Sequence, residues 1–189
     1  MPLNTHFDVL APFYERVIKI RNQDRLQEFL GLPSEGRLLD VGGGTGRVAK
    51  SMSDSVGETY VTDISMGMLR EAVEVNHLHI SCSLAECLPF PDAIFEHIIM
   101  VDALHHVLDQ EITCSELWRV LKTGGRLVIE EPDVRTLPVK IVSFLEKLFL
   151  MRSHFLPPPE IAEIFTQLGA TVRVISESTN AWILVDKGE

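Results

Sequence analysis

The sequence predicts an α/β fold built around a mostly parallel β-sheet with helices packed against it. Short apolar runs typical of buried strands alternate with amphipathic stretches of helical periodicity along most of the chain. The run at residues 38–41 leads through a glycine-rich turn into a helical pattern. With 189 residues, 46% of them hydrophobic and 23% charged, the chain has the size and composition of one globular domain, which we expect to span residues 1–189.

The acidic composition argues against polyanionic partners. Twenty-seven acidic residues against 17 basic ones give a formal net charge of −10, whereas nucleic acids and anionic membranes attract clustered Lys and Arg. No apolar run reaches the roughly 18–20 residues that span a bilayer, and no cationic leader precedes an apolar segment at the N-terminus. Cys82, Cys87 and Cys114 are an odd number at irregular spacing. We expect a cytoplasmic protein with reduced thiols, no nucleic-acid partner and no membrane insertion.

The first half of the chain predicts helices, then two strand–helix repeats and two further strands. Residues 6–31 contain two apolar stripes at helical spacing, the second ended by Gly31. Residues 58–65 form a strand that ends at an N-capping serine, and a helix follows from Met66 to about Val75. A third strand is expected at residues 78–82 and a fourth around residues 97–100.

The second half continues this alternation and ends in a strand pair. Residues 109–121 predict a helix terminated by Gly124, followed by an apolar fifth strand that ends at Glu130. An amphipathic helix between residues 160 and 169 precedes two runs, at residues 170–175 and 181–186, that predict a hairpin.

The glycine-rich turn is the strongest candidate binding element. Its segment consists of Asp40, Gly42, Gly43, Gly44, Thr45 and Gly46. A dinucleotide fingerprint starting at Gly42 would need its third glycine where Arg47 stands, and a phosphate loop would need Lys-Ser/Thr after Gly46. What remains is the pattern D-x-G-x-G-x-G, which by itself is also compatible with an ordinary tight turn.

This pattern resembles the first motif of the class I S-adenosylmethionine-dependent methyltransferases. Three later segments resemble the group related to ubiquinone and menaquinone methylases: A-E-x-L-P-F-x-D from Ala85, A-L-H-H-V from Ala103, and L-K-x-G-G-x-L from Leu121. The resemblance implies a Rossmann-like three-layer sandwich with a seven-stranded, mostly parallel sheet and an antiparallel last strand. It also implies S-adenosyl-L-methionine as the cofactor.

A second acidic residue completes the expected cofactor site. Asp63 ends the second strand, 17 residues after Gly46, where its carboxylate can accept hydrogen bonds from two ribose hydroxyls, although an acid there can also serve only as a cap. The resemblance places adenine against Ile64 and Met68. The family's usual Asp before Ala85 is Leu84 here, so adenine recognition falls to main-chain groups around Ala85 and Glu86. Leu88, Phe90 and the main chain near Val101 to Ala103 would complete the pocket.

Two segments have alternative interpretations. The resemblance of Phe7-Asp8-x-x-Ala11-x-x-Tyr14 makes residues 1–34 a candidate lid with Tyr14 touching the cofactor, although its aromatic residues also suit packing against the sheet edge. Residues 136–156 contain a strongly apolar helix that would cover either a hydrophobic acceptor or the surface of a partner subunit, so an oligomer stays open.

Histidines supply the candidate catalytic group. His105 and His106 follow the fourth strand at the edge where α/β sheets bind ligands, and either can steer or deprotonate an acceptor hydroxyl, or simply pack under the loop. His77 and His79 lie on one face of a strand without further ligands nearby, so no metal site is predicted.

The sequence therefore predicts a methyltransferase that moves a methyl group to a small hydrophobic acceptor by in-line displacement. The alternatives are a non-catalytic or regulatory protein that binds S-adenosylmethionine on the same fold, and a nicotinamide-dependent oxidoreductase, which the glycine spacing disfavours.

Overall fold

The computed structural model describes residues 23–73, 77–137, 139–140 and 154–188. Within them, the helices are α1 Gln23–Leu30, α2 Arg47–Met52, α3 Met66–Val73, α4 Gln110–Val120 and α5 Pro158–Gln167. The strands are β1 Arg37–Val41, β2 Glu58–Asp63, β3 Leu78–Cys82, β4 Phe95–Val101, β5 Leu121–Pro132, β6 Thr171–Glu177 and β7 Asn180–Asp186.

The seven described strands form one sheet in the order β3-β2-β1-β4-β5-β7-β6. All neighbours pair in parallel except β7, which is antiparallel to both β5 and β6. The predicted fold class is thus confirmed, including the antiparallel last strand. The strand order reverses between β1 and β4, and in open α/β sheets the crevice beyond the carboxyl ends of such strands is where ligands bind.

Successive residues of the central strands pack into two separate hydrophobic cores, one on each face of the sheet. Leu39 faces a cluster that includes Leu117 of α4 and Phe165 of α5, whereas Leu38 faces a cluster that includes Phe29 of α1 and Met52 of α2. Because successive strand residues point to opposite faces, a continuous apolar run such as β1 requires helices on both sides. This arrangement confirms the three-layer sandwich.

Two predicted boundaries can be compared with the structure in detail. The prediction that Gly124 terminates the fourth helix is wrong. The helix ends at Val120, and Leu121, whose side chain is fully buried, already pairs with Phe95 as the first residue of β5. Gly124 lies inside the described strand with a φ of 79°. The predicted hairpin is confirmed, with only Ser178 and Thr179 between β6 and β7.

Several sequence predictions fall outside the described residues. They concern the N-terminal part of the proposed lid, including Tyr14, and most of the apolar helix between 136 and 156, so both stay predictions. None of the helices in the described part of the chain is long and apolar enough to cross a bilayer.

We expect Phe29→Ala to destabilise the fold by about 3–4 kcal/mol, because it empties the contact between α1 and the sheet. The Phe29 ring lies 5.3 Å from the ring of the fully buried Trp182 in β7. Urea unfolding followed by tryptophan fluorescence measures the change. The neighbouring Glu28→Ala removes only a surface ion pair with Arg25 and should have little effect. Equal effects of the two substitutions would contradict this packing.

Candidate active site

A cavity opens at the carboxyl ends of β1, β2 and β4, beside the point where the strand order reverses. The glycine loop between β1 and α2 forms one wall, and residues 83–86, 100–103 and 106–108 form the others. The described residues that line it are Asp40, Val41, Gly42, Gly43, Gly44, Thr45, Arg47, Val48, Thr62, Asp63, Ile64, Met68, Ser83, Leu84, Ala85, Glu86, Met100, Val101, Asp102, Ala103, His106, Val107 and Leu108.

The glycine loop is held against β2 and against the turn after β4. The amides of Gly42 and Gly43 both donate to the carbonyl oxygen of Thr62, at 2.8 and 3.1 Å. Gly42 has a φ of 71°, and a Cβ atom on it would lie only 2.6 Å from the Cβ of Ala103. Glycine is therefore required here both for the backbone conformation and for the close approach of the two loops.

Asp63 connects the end of β2 to the glycine loop. Its Oδ2 accepts a hydrogen bond from the Gly44 amide at 2.9 Å, and its Oδ1 accepts one from the Ser65 amide at 2.7 Å. The Ser65 hydroxyl accepts a hydrogen bond from the Met68 amide, which confirms the predicted N-cap of α3. The carboxylate is thus fixed in orientation at the cavity wall.

Asp40 is a buried carboxyl group at the base of the same loop. It is only 1% exposed, and its Oδ2 has no hydrogen-bond partner among the described residues. Burial raises the pKa of Asp40 to about 7, against the lowering effect of the hydrogen bond from the Ala49 amide. The Asp63 charge raises this pKa further, and Arg47 lowers it. A carboxylate with an unused buried oxygen is suited to receive a cationic ligand group.

The opposite part of the cavity is apolar. Ile64 and Leu84 line it although their side chains are 37% and 40% exposed, and Met68 lies beside them in the cavity wall. The motif residue Glu86 also lines the cavity, but its Oε1 accepts hydrogen bonds from the amides of Leu108 and Asp109. One of its carboxylate oxygens therefore stabilises the neighbouring loop.

Most of the L-P-F-x-D segment is structural. The Arg119 guanidinium donates to the carbonyl oxygens of Leu88 and Phe90 and pairs with Asp92 and Glu116. Leu88 and Phe90, which the sequence suggested would complete the pocket, do not line it. The Phe90 ring instead packs against the rings of Tyr60 and Phe95.

The two histidines after β4 have different environments. His106 lines the cavity, whereas His105 is 5% exposed and lies outside the lining. The His105 Nδ1 lies 2.6 Å from Glu131 Oε2, and Phe155 stacks on its ring. Burial lowers the pKa of His106 to about 3, and His105 adds to this effect. His106 is therefore neutral at physiological pH.

Glu131 stabilises the turn after β4, which contains both histidines, through hydrogen bonds. Its Oε1 accepts hydrogen bonds from the amides of Ala103 and Leu104, at 3.0 and 2.8 Å, while Oε2 contacts His105. Glu130 accepts a hydrogen bond from Asn180, and Asp133 pairs with Arg135. None of these three acids lines the cavity. They are buried at the end of β5 and serve the packing there.

Comparison with known proteins agrees with this geometry. Residues 39–129 match the family model described as a methyltransferase domain. The chain is 32% identical over 158 residues to the ubiquinone/menaquinone biosynthesis C-methyltransferase UbiE of Francisella tularensis subsp. novicida, covering 78% of this chain and 61% of that protein. The chain thus spans about three fifths of the length of this curated relative.

Solved structures show the same fold. The YcgJ protein of Bacillus subtilis superposes with a TM-score of 0.75 at 26% identity, covering 82% of this chain and 70% of the other. A SAM-dependent methyltransferase of Thermotoga maritima superposes with a TM-score of 0.79 at 23% identity, covering 98% and 100%. The chain belongs to the class I S-adenosylmethionine-dependent methyltransferases.

The cofactor of this methyltransferase family is S-adenosylmethionine, and the cavity offers groups that suit it. An α-amino group could donate to the unpaired Asp40 oxygen, and ribose hydroxyls could donate to Asp63. A purine could pack against the apolar wall at Ile64 and Met68. Among the described residues there is no group of three or more His, Cys, Asp or Glu side chains arranged to hold a metal ion.

Most residues expected at the methyltransferase site line the cavity. They are Asp40, Gly42, Gly43, Gly44, Thr45, Asp63, Ile64, Met68, Ala85, Glu86, Val101 and His106. Gly46 lies outside the lining, where a Cβ atom on it would press against Leu78 at 2.9 Å, and Tyr14 is outside the described residues. The sequence predicted only main-chain contacts at Arg47 and Asp102 and gave their side chains no role, although both residues line the cavity. Arg47 directly follows the last glycine, and Asp102 directly follows Val101, so adjacency to predicted site residues was the available signal.

We expect Asp40→Asn to stabilise the ligand-free methyltransferase increasingly as pH rises. The folded-state pKa of Asp40 lies above that of the unfolded chain, so its stabilising contribution is present below about pH 4 and is lost as pH rises towards 7. The neutral amide does not titrate, and the gain at pH 8 should reach at most about 4 kcal/mol. Thermal unfolding at pH 4.5, 6 and 8 measures it. A difference independent of pH would contradict the raised pKa.

Proposed function

We propose that this protein transfers a methyl group from S-adenosylmethionine to a small hydrophobic acceptor by in-line displacement. The observation that carries the proposal is the single crevice formed by the glycine loop, the fixed carboxylate of Asp63 and the buried, half-unpaired carboxyl group of Asp40. Family membership supports the donor, while the acceptor and the mechanism are our proposal.

Each wall of the cavity has a role in this proposal. Asp40 accepts a hydrogen bond from the donor's α-ammonium group, and the Gly42–Gly44 backbone lies against its amino acid chain. Asp63 accepts hydrogen bonds from the ribose hydroxyls. Ile64 and Met68 contact one face of the adenine, whose edge meets the main chain of residues 85–86.

The chemistry asks little of the protein beyond alignment. When bound, S-adenosylmethionine supplies an activated methyl group, whose transfer breaks the carbon–sulfur bond and leaves the electron pair on sulfur. The residues of the cavity hold donor and acceptor in line and keep water away, and such positioning accounts for a large share of catalysis in two-substrate reactions.

The acceptor side supports a hydrophobic molecule with a ring hydroxyl. Ala103, Val107 and Leu108 give this part of the cavity apolar side chains, and Leu108 is 58% exposed. His106 lies among them as a neutral imidazole that can orient a hydroxyl through a hydrogen bond. The matched relatives are named ubiquinone/menaquinone C-methyltransferases, so a prenylated hydroquinone is the first acceptor to test.

The acidic composition and the free cysteines Cys82, Cys87 and Cys114 support a cytoplasmic site of action without a nucleic-acid partner.

The direct test combines binding with turnover. Calorimetry should detect S-adenosylhomocysteine binding, and mass spectrometry should detect methylated products after incubation with S-adenosylmethionine and a panel of prenylated hydroquinones and phenols. Binding with no product on any of these acceptors would favour the regulatory alternative. A protein that binds neither S-adenosylmethionine nor S-adenosylhomocysteine would contradict the proposal itself.

We expect Asp63→Ala to weaken S-adenosylhomocysteine binding by about 10- to 150-fold, because charge-assisted hydrogen bonds to the ribose are lost and the Gly44 amide loses its acceptor. Calorimetry measures the dissociation constants. Asp54→Ala, in the exposed turn Ser53–Ser55 outside the cavity, is the matched control and should bind like the wild type. An unchanged affinity in Asp63→Ala would contradict the ribose assignment.

We expect His106→Leu to slow methyl transfer about 10- to 100-fold through loss of one orienting hydrogen bond, with S-adenosylhomocysteine affinity nearly unchanged. Initial rates of methyl transfer, measured with an acceptor that the panel shows to be methylated, test this expectation. Because the pKa of His106 is about 3, the wild-type rate should show no inflection near pH 6.5 arising from this residue. His79→Leu, on β3 outside the cavity, is the control. An inflection near pH 6.5 that disappears in His106→Leu would show that His106 titrates as a base.

A further inference from the structure

Two buried polar atoms of the cavity wall lack hydrogen-bond partners. They are the Oδ2 of Asp40 and the Nη1 of Arg47. In the described part of the chain, the other such atoms belong to His97 and Trp182, which do not line the cavity. Leaving a buried charged group without a partner is costly, and native proteins retain such groups mainly where a ligand completes them.

The two groups lie at opposite ends of one loop. Asp40 is the fourth residue of β1, and Arg47 is the first residue of α2 after the glycine turn. Their charges influence each other, yet no nitrogen of Arg47 is within ion-pair distance, 4.0 Å, of an Asp40 oxygen. The cavity wall therefore presents one unpaired carboxyl oxygen and one unpaired guanidinium nitrogen, each open to a different ligand group.

We propose that Arg47 binds the α-carboxylate of the methyl donor, so that Arg47 and Asp40 together select a ligand with an intact amino acid tail. The assignment rests on the proposed function and adds to it the residue that reads the carboxylate. A guanidinium presents parallel N–H donors whose spacing matches the two oxygens of a carboxylate, which a backbone amide alone does not provide.

The alternative role for Arg47 is simple charge balance for Asp40. In that role the guanidinium would affect every ligand of the cavity alike, because it would act through the charge state of Asp40. A carboxylate-binding role instead affects only ligands that possess the carboxylate. The two roles are therefore separated by a pair of ligands that differ in this group alone.

The test compares S-adenosylhomocysteine with its decarboxylated analogue, which keeps the amino group, in wild type, Arg47→Met and Arg70→Met. We expect the wild type to prefer S-adenosylhomocysteine by about 10- to 100-fold, the range for a charge-assisted contact. Arg47→Met should reduce this preference to about threefold or less while binding the analogue as the wild type does. Arg70 is exposed on α3 outside the cavity, so Arg70→Met should keep the full preference.

Because both ligands are measured on the same protein preparation, the ratio does not depend on how much of a variant is folded. Arg47→Lys should restore part of the preference, since it retains the charge without the forked geometry. The assignment is overturned if Arg47→Met keeps the wild-type preference or weakens both ligands equally. A wild type that binds neither ligand would overturn the proposed function as well, whereas wild-type binding without preference would overturn the Arg47 assignment alone.

Discussion

The close approach of two loops is the constraint on which the cavity depends. The glycine loop after β1 and the turn after β4 meet where Gly42 lies against Ala103, with no room for a side chain on Gly42. Glu131 fixes the turn from the neighbouring strand by accepting the Ala103 and Leu104 amides, and Asp63 fixes the glycine loop from β2. Adjacent parallel strands thus provide both the residues that line the cavity and the carboxylates that hold its loops in place, because the carboxyl ends of parallel strands meet at one edge of the sheet.

This arrangement has an energetic cost at the site. The Asp40 carboxyl is buried with one oxygen unpaired, and its pKa is raised to about 7 as a result. The turn after β4 includes Asp102 with a φ of 51°, a conformation uncommon for residues other than glycine. Elsewhere the central strands are apolar on both faces, and their packing offsets such local costs.

The sequence predicted best what local patterns encode. The glycine loop, the acid at the end of β2, the N-cap at Ser65 and the final hairpin follow from spacing and residue type, and the structure agrees. Long-range pairings were not accessible in this way. Arg119 contacts residues 27 to 31 positions away, and Glu131 contacts residues 26 to 28 positions away. Which of the two adjacent histidines faces the cavity also depends on such a contact. His105 pairs with Glu131 in the interior, whereas His106 lines the cavity. The predicted end of the helix at Gly124 was wrong for the same reason. Leu121 pairs with Phe95 in the sheet, and this long-range pairing overrides the local preference for a helix that ends at a glycine.

The charges around the cavity suggest how a donor and its product would be distinguished. Among the described lining residues there are four carboxyl groups, on Asp40, Asp63, Glu86 and Asp102, against the single guanidinium of Arg47. His106 adds no positive charge, because its pKa is far below neutral. Fixed charges of one sign in a cleft with low-dielectric walls act more strongly than in water. A sulfonium donor carries one more positive charge than its thioether product, so under the proposed function this excess of carboxyl groups would favour the donor over the product. The same field disfavours anionic acceptors near the reacting sulfur, which is a physical reason to expect an acceptor that enters neutral and apolar.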